Sequence, residues 1–309
     1  MMNLDSDALL LIRRLKRQLT VWRLGGVALL ALLLIVLLAD GIEDVGDEED
    51  TVARLTITGV ILDDPWRSRT LRKVMEKEHI KALLVHIDSP GGTVVGSESL
   101  YRVLMDVAEE KPVVAIMGQV AASGGYMTAL GTDRIYAQAG TITGSIGVIL
   151  QTTDMTGLMD MIGLKPESIK SSPLKAQPNP LEPLTPEARA ATKAVVLDMY
   201  DMFVDMVADR RKLEDDKART LADGRIYTGR QALENGLIDA LGDETDARDW
   251  LAEEHEIDLD WPVAEIKIDR PKTRWQRLIG ETMGKVLFSE ELTRRLSLDG
   301  LLALWHPSL

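Results

Sequence analysis

The sequence predicts an α/β fold preceded by an N-terminal transmembrane helix, and three observations predict it. Short apolar runs ending in turn residues alternate with amphipathic stretches between residues 52 and 149, the pattern of buried strands and the helices that cover them. Sixteen consecutive apolar or glycine residues, 24–39, follow a basic segment. The chain of 309 residues is 45% hydrophobic, 28% charged and 4% aromatic, an ordinary globular composition with enough length for a sizeable core.

The apolar run LGGVALLALLLIVLLA is preceded by Arg13, Arg14, Lys16, Arg17 and Arg23 and followed by Asp40, Glu43, Asp44, Asp47, Glu48, Glu49 and Asp50. At ~1.5 Å per residue it makes roughly 24 Å of helix, short against a hydrocarbon core of about 30 Å. Val21 and Trp22 lengthen it if Arg23 snorkels. The basic flank predicts a cytoplasmic N-terminus with the rest of the chain across the membrane. A cleaved signal peptide is the alternative, but a site near Ala39 would place Leu37, not a small residue, at its −3 position. The expected organisation is a basic cytoplasmic segment (1–23), a single-pass anchor in the cytoplasmic (inner) membrane (24–39), an acidic linker (40–51), an extracytoplasmic or periplasmic globular domain (52–255) and a C-terminal extension (256–309).

Charge and cysteine usage exclude several classes. The 36 basic and 49 acidic residues give a net charge of −13, and residues 40–309 alone carry −16. Such a chain lacks the basic footprint of a nucleic-acid binder. Without cysteine there is no disulfide, Cys nucleophile or Cys-ligated metal. His79, His86, His255 and His306 are far apart and form no HExxH pattern, so no metal site and no cofactor is expected.

Residues 52–62 (VARLTITGVIL), 81–88 (KALLVHID) and 112–117 (PVVAIM) read as strands, with further short strands at 134–137 and 141–149. Helices are expected over 69–79 and 94–109. A Pro-rich irregular loop spans 171–186, and Thr185 with Pro186 makes a cap and first turn for a long helix to about residue 211. Residues 218–246 read as short helices around Gly224, Gly229 and Gly236. Beyond residue 256 a strand-like PVAEIKI, a basic amphipathic helix from about residue 274 and an apolar tail are expected.

Three segments could carry chemistry. In Asp88-Ser89-Pro90-Gly91-Gly92, paired glycines let backbone N–H groups face an approaching oxyanion; the plain alternative is a strand-to-helix turn. In Ala121-Ala122-Ser123-Gly124-Gly125-Tyr126, Ser123 stands among small residues at a helix start, near the positive end of the helix dipole; the alternative is an N-cap serine. The segment contains no GxSxG elbow, which argues against an ordinary α/β-hydrolase. A serine nucleophile needs a base, and Lys165, Lys170 and Lys175 are candidates, each equally readable as a surface charge. A lysine serves if burial lowers its pKa from ~10.4 to about 7–8.

The ordered set DSPGG, KPVVAIMGQVAASGGYMTAL, TITGSIGVI, ESIKSSPLK and ADGRIYTGRQALENGLIDALG resembles the bacterial signal peptide peptidase A family, membrane-anchored Ser-Lys proteases of the ClpP/crotonase superfamily. The resemblance covers residues 52–246. It implies a ClpP/crotonase-like spiral of ββα units, Ser123 as nucleophile, Lys175 as general base with Lys170 outside the dyad, and Ser145 orienting the base. Gly91 or Gly92 matches the oxyanion-hole glycine, and the Gly124 amide is a further donor. Many relatives read SGGYY where Met127 stands, and KSGxxKD where Ser172 and Ala176 stand; neither change touches a proton-transfer group. The family's substrates are peptides such as remnant signal peptides, and the short, single-repeat form implies a homo-oligomeric ring, of eight subunits, with a dyad shared between neighbours.

Two other classes were weighed. A crotonase-like acyl-CoA enzyme would also use paired-glycine amides but needs cytosolic CoA, which the predicted topology denies it. A catalytically idle membrane scaffold has no reason to keep both Ser123 and Lys175. The apolar tail residues Leu301, Leu302, Leu304 and Trp305 are expected to pack on a neighbouring subunit or to lie in a substrate groove, with a local satellite of the core as the alternative.

Overall fold

The computed structural model describes residues 49–268 and 270, the backbone of Leu301–Leu304, and Lys16 and Arg23 in the N-terminal region. No helix among the described residues is long and apolar enough to cross a membrane; the predicted span at 24–39 and the basic helix from about residue 274 lie outside them.

The chain alternates strands and helices. In order these are β1 (Thr51–Thr58), α1 (Pro65–Glu76), β2 (Ile80–Ser89), β3 (Gly91–Thr93), α2 (Val94–Ala108), β4 (Val113–Ala122), α3 (Gly124–Ala129), β5 (Arg134–Ala137), β6 (Ile142–Gly144) and β7 (Ile149–Leu150). Then follow α4 (Thr156–Met161), α5 (Pro186–Arg211), α6 (Asp215–Leu221), β8 (Ile226–Thr228), α7 (Gly229–Asn235), β9 (Ala240–Leu241), α8 (Glu244–His255), β10 (Val263–Glu265) and β11 (Leu301–Leu304). The main sheet runs β10-β1-β2-β4-β5-β9 with all these pairs parallel; β6 extends beside the end of β4 and pairs antiparallel with β8. A second sheet has the order β3-β11-β7, both pairs antiparallel.

The apolar runs read in the sequence become strands covered on both faces, as a parallel sheet requires. Leu83, Val85 and Ile87 belong to one core with Leu71, Leu100, Leu104 and Tyr126. Their neighbours Ala82 and Leu84 join Val114, Ile116, Ala247 and Leu251 in a second cluster on the other face. Each large apolar side chain removed from water in this way stabilises the fold by about 1.5–3 kcal/mol.

Three segments depart from the sequence expectation, each for an identifiable reason. Helix α1 starts at Pro65 and not at 69, because Asp64 caps it, accepting from the N–H groups of Trp66 and Arg67 at 3.1 and 3.3 Å, with proline at the first position where its missing N–H costs nothing. Strand β4 runs on past Met117 to Ala122: the Asp88 carboxylate accepts the Val120 N–H at 3.0 Å, and Val120–Ala122 pair with β6. Within 218–246 the structure has β8 and β9 beside the short helices; strands of three and two residues are too brief to show a period. Strand β10, in the segment expected as a C-terminal extension, pairs with β1 as an edge of the main sheet.

Helix α3 is tied down by two arginines at the end of α5. Arg210 donates to the carbonyls of Leu130 and Thr132, at 2.7 and 2.8 Å, satisfying groups at the end of α3. Arg211 donates to Gly236 O at 2.8 Å and forks onto the Asp239 carboxylate at 2.7 and 3.0 Å. The fully buried Tyr126 hydroxyl donates to Leu237 O at 2.8 Å, and burial pushes its phenol up, so it stays a neutral donor. Arg211→Met removes the guanidinium and leaves Asp239 and the Gly236 carbonyl without it. Urea unfolding should show a loss of about 2–4 kcal/mol; an unchanged midpoint would mean that Arg211 does not anchor this corner.

Candidate active site

Ser123 stands between the end of β4 and the start of α3, 1% exposed. Its backbone adopts φ 54° and ψ −117°, a conformation that L-residues rarely occupy and that only its surroundings can impose. Its N–H donates to Gly144 O at 2.7 Å, and its carbonyl accepts the Met127 N–H at 2.9 Å. Its side chain makes no capping hydrogen bond to the helix. The plain reading of this serine as an N-cap is therefore not what the fold does with it.

The supporting residue, Gly144, has φ 78°, and a Cβ there would come within 2.5 Å of the Tyr227 ring. Burial pushes the Tyr227 phenol up, and its hydroxyl donates to Leu221 O at 3.1 Å. The next residue, Ser145, has φ 50° and donates its N–H to Arg225 O at 2.8 Å. Ser123 and Ser145 line one cavity of about 460 Å³, whose walls include Ile146, Val148, Val196, Tyr200 and Gly224. A mostly apolar cavity with serine hydroxyls at its wall, and Asp223 also in its lining, suits an acyl group carrying an apolar side chain. Val196 and Tyr200, on α5, and Gly224 were missed by sequence reasoning. Nothing local marks them; they come to the serine's cavity from chain segments 73 to 101 residues further on.

Gly91 and Gly92 form β3, and a Cβ on Gly92 would lie 1.8 Å from Ile61 O. Ile61 N–H donates to Gly91 O, and Thr93 N–H to Ile61 O, both at 2.9 Å. Successive strand residues turn their backbone groups to opposite sides, so the Gly92 N–H and C=O face away from Ile61. That side is where β11 lies, with Ala303 opposite Gly92. The Gly91 N–H is spent on Ser89 Oγ at 3.1 Å, and Ser89 Oγ donates to Gly59 O at 2.6 Å. Ser89 is thus the support of the glycine strand, a role the motif reading left unassigned. Gly124 opens α3, in the first turn where backbone N–H groups have no helical acceptor.

The lysines are elsewhere. No lysine lines the Ser123 cavity. Lys165 and Lys175 are exposed, in a segment 162–185 without helix or strand. Lys170 Nζ is committed to the Glu182 carboxylate. Lys175 Nζ has no hydrogen-bond or ion-pair partner among the described residues. The structure thus brings Ser123, Ser145 and the glycine strand into one region and leaves Lys175 on an exposed arm. The expected tail lies across the glycine strand: Leu302, Ala303 and Leu304 pair with Thr93, Gly92 and Gly91, and Leu301 and Leu302 pair with Leu150 and Ile149. Trp305 lies outside the described residues. Among the described residues no three His, Asp or Glu side chains converge to hold a metal ion.

The fold is a parallel α/β sheet with a buried, strained serine beside a cavity, and comparison with known proteins gives the lineage. Residues 105–258 match peptidase family S49. The chain is 43% identical over 231 residues to slr0021 of Synechocystis sp., whose name assigns it to the proteases, covering 74% of this chain and 83% of that one. It is 33% identical over 238 residues to a protein of Enterococcus faecium named as signal peptide peptidase SppA, covering 72% and 69%. Among solved structures, a ClpP1 variant from Listeria monocytogenes superposes with a TM-score of 0.42 at 14% identity, over 62% of this chain and 92% of that one. The chain belongs to peptidase family S49.

Gly144→Ala forces a Cβ against the Tyr227 ring at a positive φ and shifts the carbonyl that holds the Ser123 N–H. Displacement of a reacting group by ~1 Å costs about 10²-fold, so peptide hydrolysis should fall by about that factor while the chain remains folded by circular dichroism. Wild-type turnover would show that the Gly144 support does not position Ser123.

Proposed function

We propose that this peptidase is a membrane-anchored serine endopeptidase using a Ser123–Lys175 dyad, on a ClpP/crotonase-like spiral of ββα units. The observation that carries the reading is Ser123 itself: a buried serine in a strained backbone conformation, not used as a cap, facing an apolar cavity beside a glycine strand. The predicted anchor would hold the domain on the extracytoplasmic side of the inner membrane. Its substrates are then apolar exported peptides, remnant signal peptides among them, and misfolded exported chains.

The chemistry is an acyl transfer. Neutral Lys175 takes the proton of Ser123 Oγ as the oxygen attacks the scissile carbonyl. The amides of Gly92 and Gly124 receive the oxyanion; Gly91, whose N–H is held by Ser89, supports Gly92 and is not itself the donor. The lysinium gives its proton to the leaving amine as the C–N bond breaks. Water, deprotonated by the same lysine, then attacks the ester, and Ser123 recovers its proton. Ser145 orients the amine. The pairing of β11 along β3 is the geometry in which an extended peptide would lie beside Gly92.

A single chain does not complete this site. Lys175 is exposed and is not among the residues lining the Ser123 cavity, while the arm that bears it and the helix before it turn apolar residues outward: Ile169 is 100% exposed and Met161, at the end of α4, 83%. A second copy covering that arm would bury these residues, desolvate the lysine and unite it with the neighbour's serine. Ring formation follows the same reading.

Ser123→Ala and Lys175→Ala should each abolish hydrolysis of an apolar peptide, and a fluorophosphonate probe should label Ser123 in the folded wild type. Co-assembling the two dead variants tests the shared site. Mixed oligomers create interfaces with one intact serine and one intact lysine, so part of the activity should return. Well-mixed oligomers that stay dead would place the dyad within one chain.

A further inference from the structure

The arm carrying Lys175 presents a problem of positioning. Residues 162–185 form no helix and no strand, so no backbone ladder fixes where the Lys175 amine points. Its shielding is also inverted. Ile169 is fully exposed, with Leu174 at 39% and Leu181 at 41%, whereas the charged side chains of Lys170 and Glu182 are only 15% and 25% exposed.

Those two residues lie five positions before and seven positions after Lys175, and their side chains meet across the neck of the loop. Gln177 Nε2 donates to the same Glu182 Oε2 at 2.6 Å. Between them the chain makes tight turns. Lys175 N–H donates to Ser172 O at 3.1 Å and Gln177 N–H to Leu174 O at 3.3 Å, with Ala176 at φ 60° just after the lysine. Asn179 ties the return: its Nδ2 donates to Ala176 O at 2.9 Å and its Oδ1 accepts the Leu181 N–H at 3.0 Å. Met155 N–H donates to Pro180 O at 2.9 Å, joining the return to the start of α4.

We infer that Lys170, Glu182 and Gln177 form a polar staple that positions Lys175 for the reaction, an inference that rests on the dyad reading above. The staple closes the neck of this loop, with Ser168 adding a further hydrogen bond to the same carboxylate. It supplies what burial supplies elsewhere in the fold, a fixed geometry for a long, rotamer-rich side chain. It also gives a use to Lys170, which the dyad leaves aside. The hydrogen bond from Lys170, with a second from Ser168, holds the Glu182 carboxyl below its ordinary range. A carboxyl lowered in this way keeps its contribution above its unfolded pKa and loses it as pH falls through the folded one. The Glu182 carboxylate is therefore ionised and able to accept from Lys170 and Gln177 at neutral pH.

The test is steady-state kinetics on the full chain with an apolar peptide, with oligomer size and melting temperature measured in parallel. Lys170→Met and Glu182→Gln should each lower kcat about tenfold with KM unchanged, short of the roughly 10²-fold cost of a reacting group displaced by 1 Å. Lys170→Arg, which keeps the ion pair, should retain more than half of kcat. The double exchange Lys170→Glu with Glu182→Lys should recover most of what either charge-reversed single variant loses. Lys175→Ala is the control for the dyad. If it is inactive while Lys170→Met and Glu182→Gln turn over like wild type, the staple is wrong and the dyad stands. If Lys175→Ala is active, both fall. Loss of oligomer or melting temperature in the single variants, not recovered by the double exchange, would also overturn the positioning role.

Discussion

A serine held at φ 54° and ψ −117° stores of order 1–3 kcal/mol of backbone strain, and the surrounding packing resists its relaxation. The Ser123 N–H is fixed on Gly144, Gly144 is fixed against the Tyr227 ring, and Ser145 is fixed on Arg225. Release of any one of these would let the turn relax and carry Oγ away from the cavity. The small residues on either side follow from the same constraint. Ala121 and Ala122 are completely buried, where β4, β6 and α3 come together and larger side chains would push the turn outward.

The polar groups around this turn are satisfied in a way that fixes α3 from both ends. Its first turn begins at the serine; its last carbonyls accept from Arg210, and its Tyr126 hydroxyl reaches the segment that Arg211 and Asp239 hold. Because the arginines sit at the end of α5, the helix that walls the cavity also anchors the helix that follows Ser123. A change in the position of α5 thus moves the cavity wall and the serine together.

Order is distributed unevenly between the two halves of the proposed dyad. Ser123 is set in the most buried part of the fold, where sheet ladders and core packing determine its place. Lys175 is carried on a loop with no buried residue of its own, stabilised by one ion pair and a few turn hydrogen bonds. Such a division suits a site assembled from two copies. In the proposed assembly the lysine side would acquire its environment when a second copy covers the outward apolar residues. The glycine strand β3 adds an edge that pairs with an extended chain, as its ladder with β11 shows.

Much of this was legible in the residues. The apolar runs of β2 and β4 read as buried strands, Thr185-Pro186 marked the start of α5, and the small residues around Ser123 marked a tight approach. These are local signals, set by side-chain period, capping and steric size, and a sequence displays them directly. The expectations missed at α1 and β4 depended on the Asp64 cap and on Asp88 reaching a distant N–H. What only the tertiary structure decided is which groups meet. It turned the Gly92 amide away from Ile61 and toward the β11 edge, spent the Gly91 amide on Ser89, and brought Val196 and Tyr200 to the serine. It also bound Lys170 to Glu182 while leaving Lys175 exposed. Val196 and Tyr200 are far from Ser123 in the chain, and even the near pairs, Ser89 with Gly91 and Lys170 with Glu182, depend on side-chain directions that periodicity and propensity do not record.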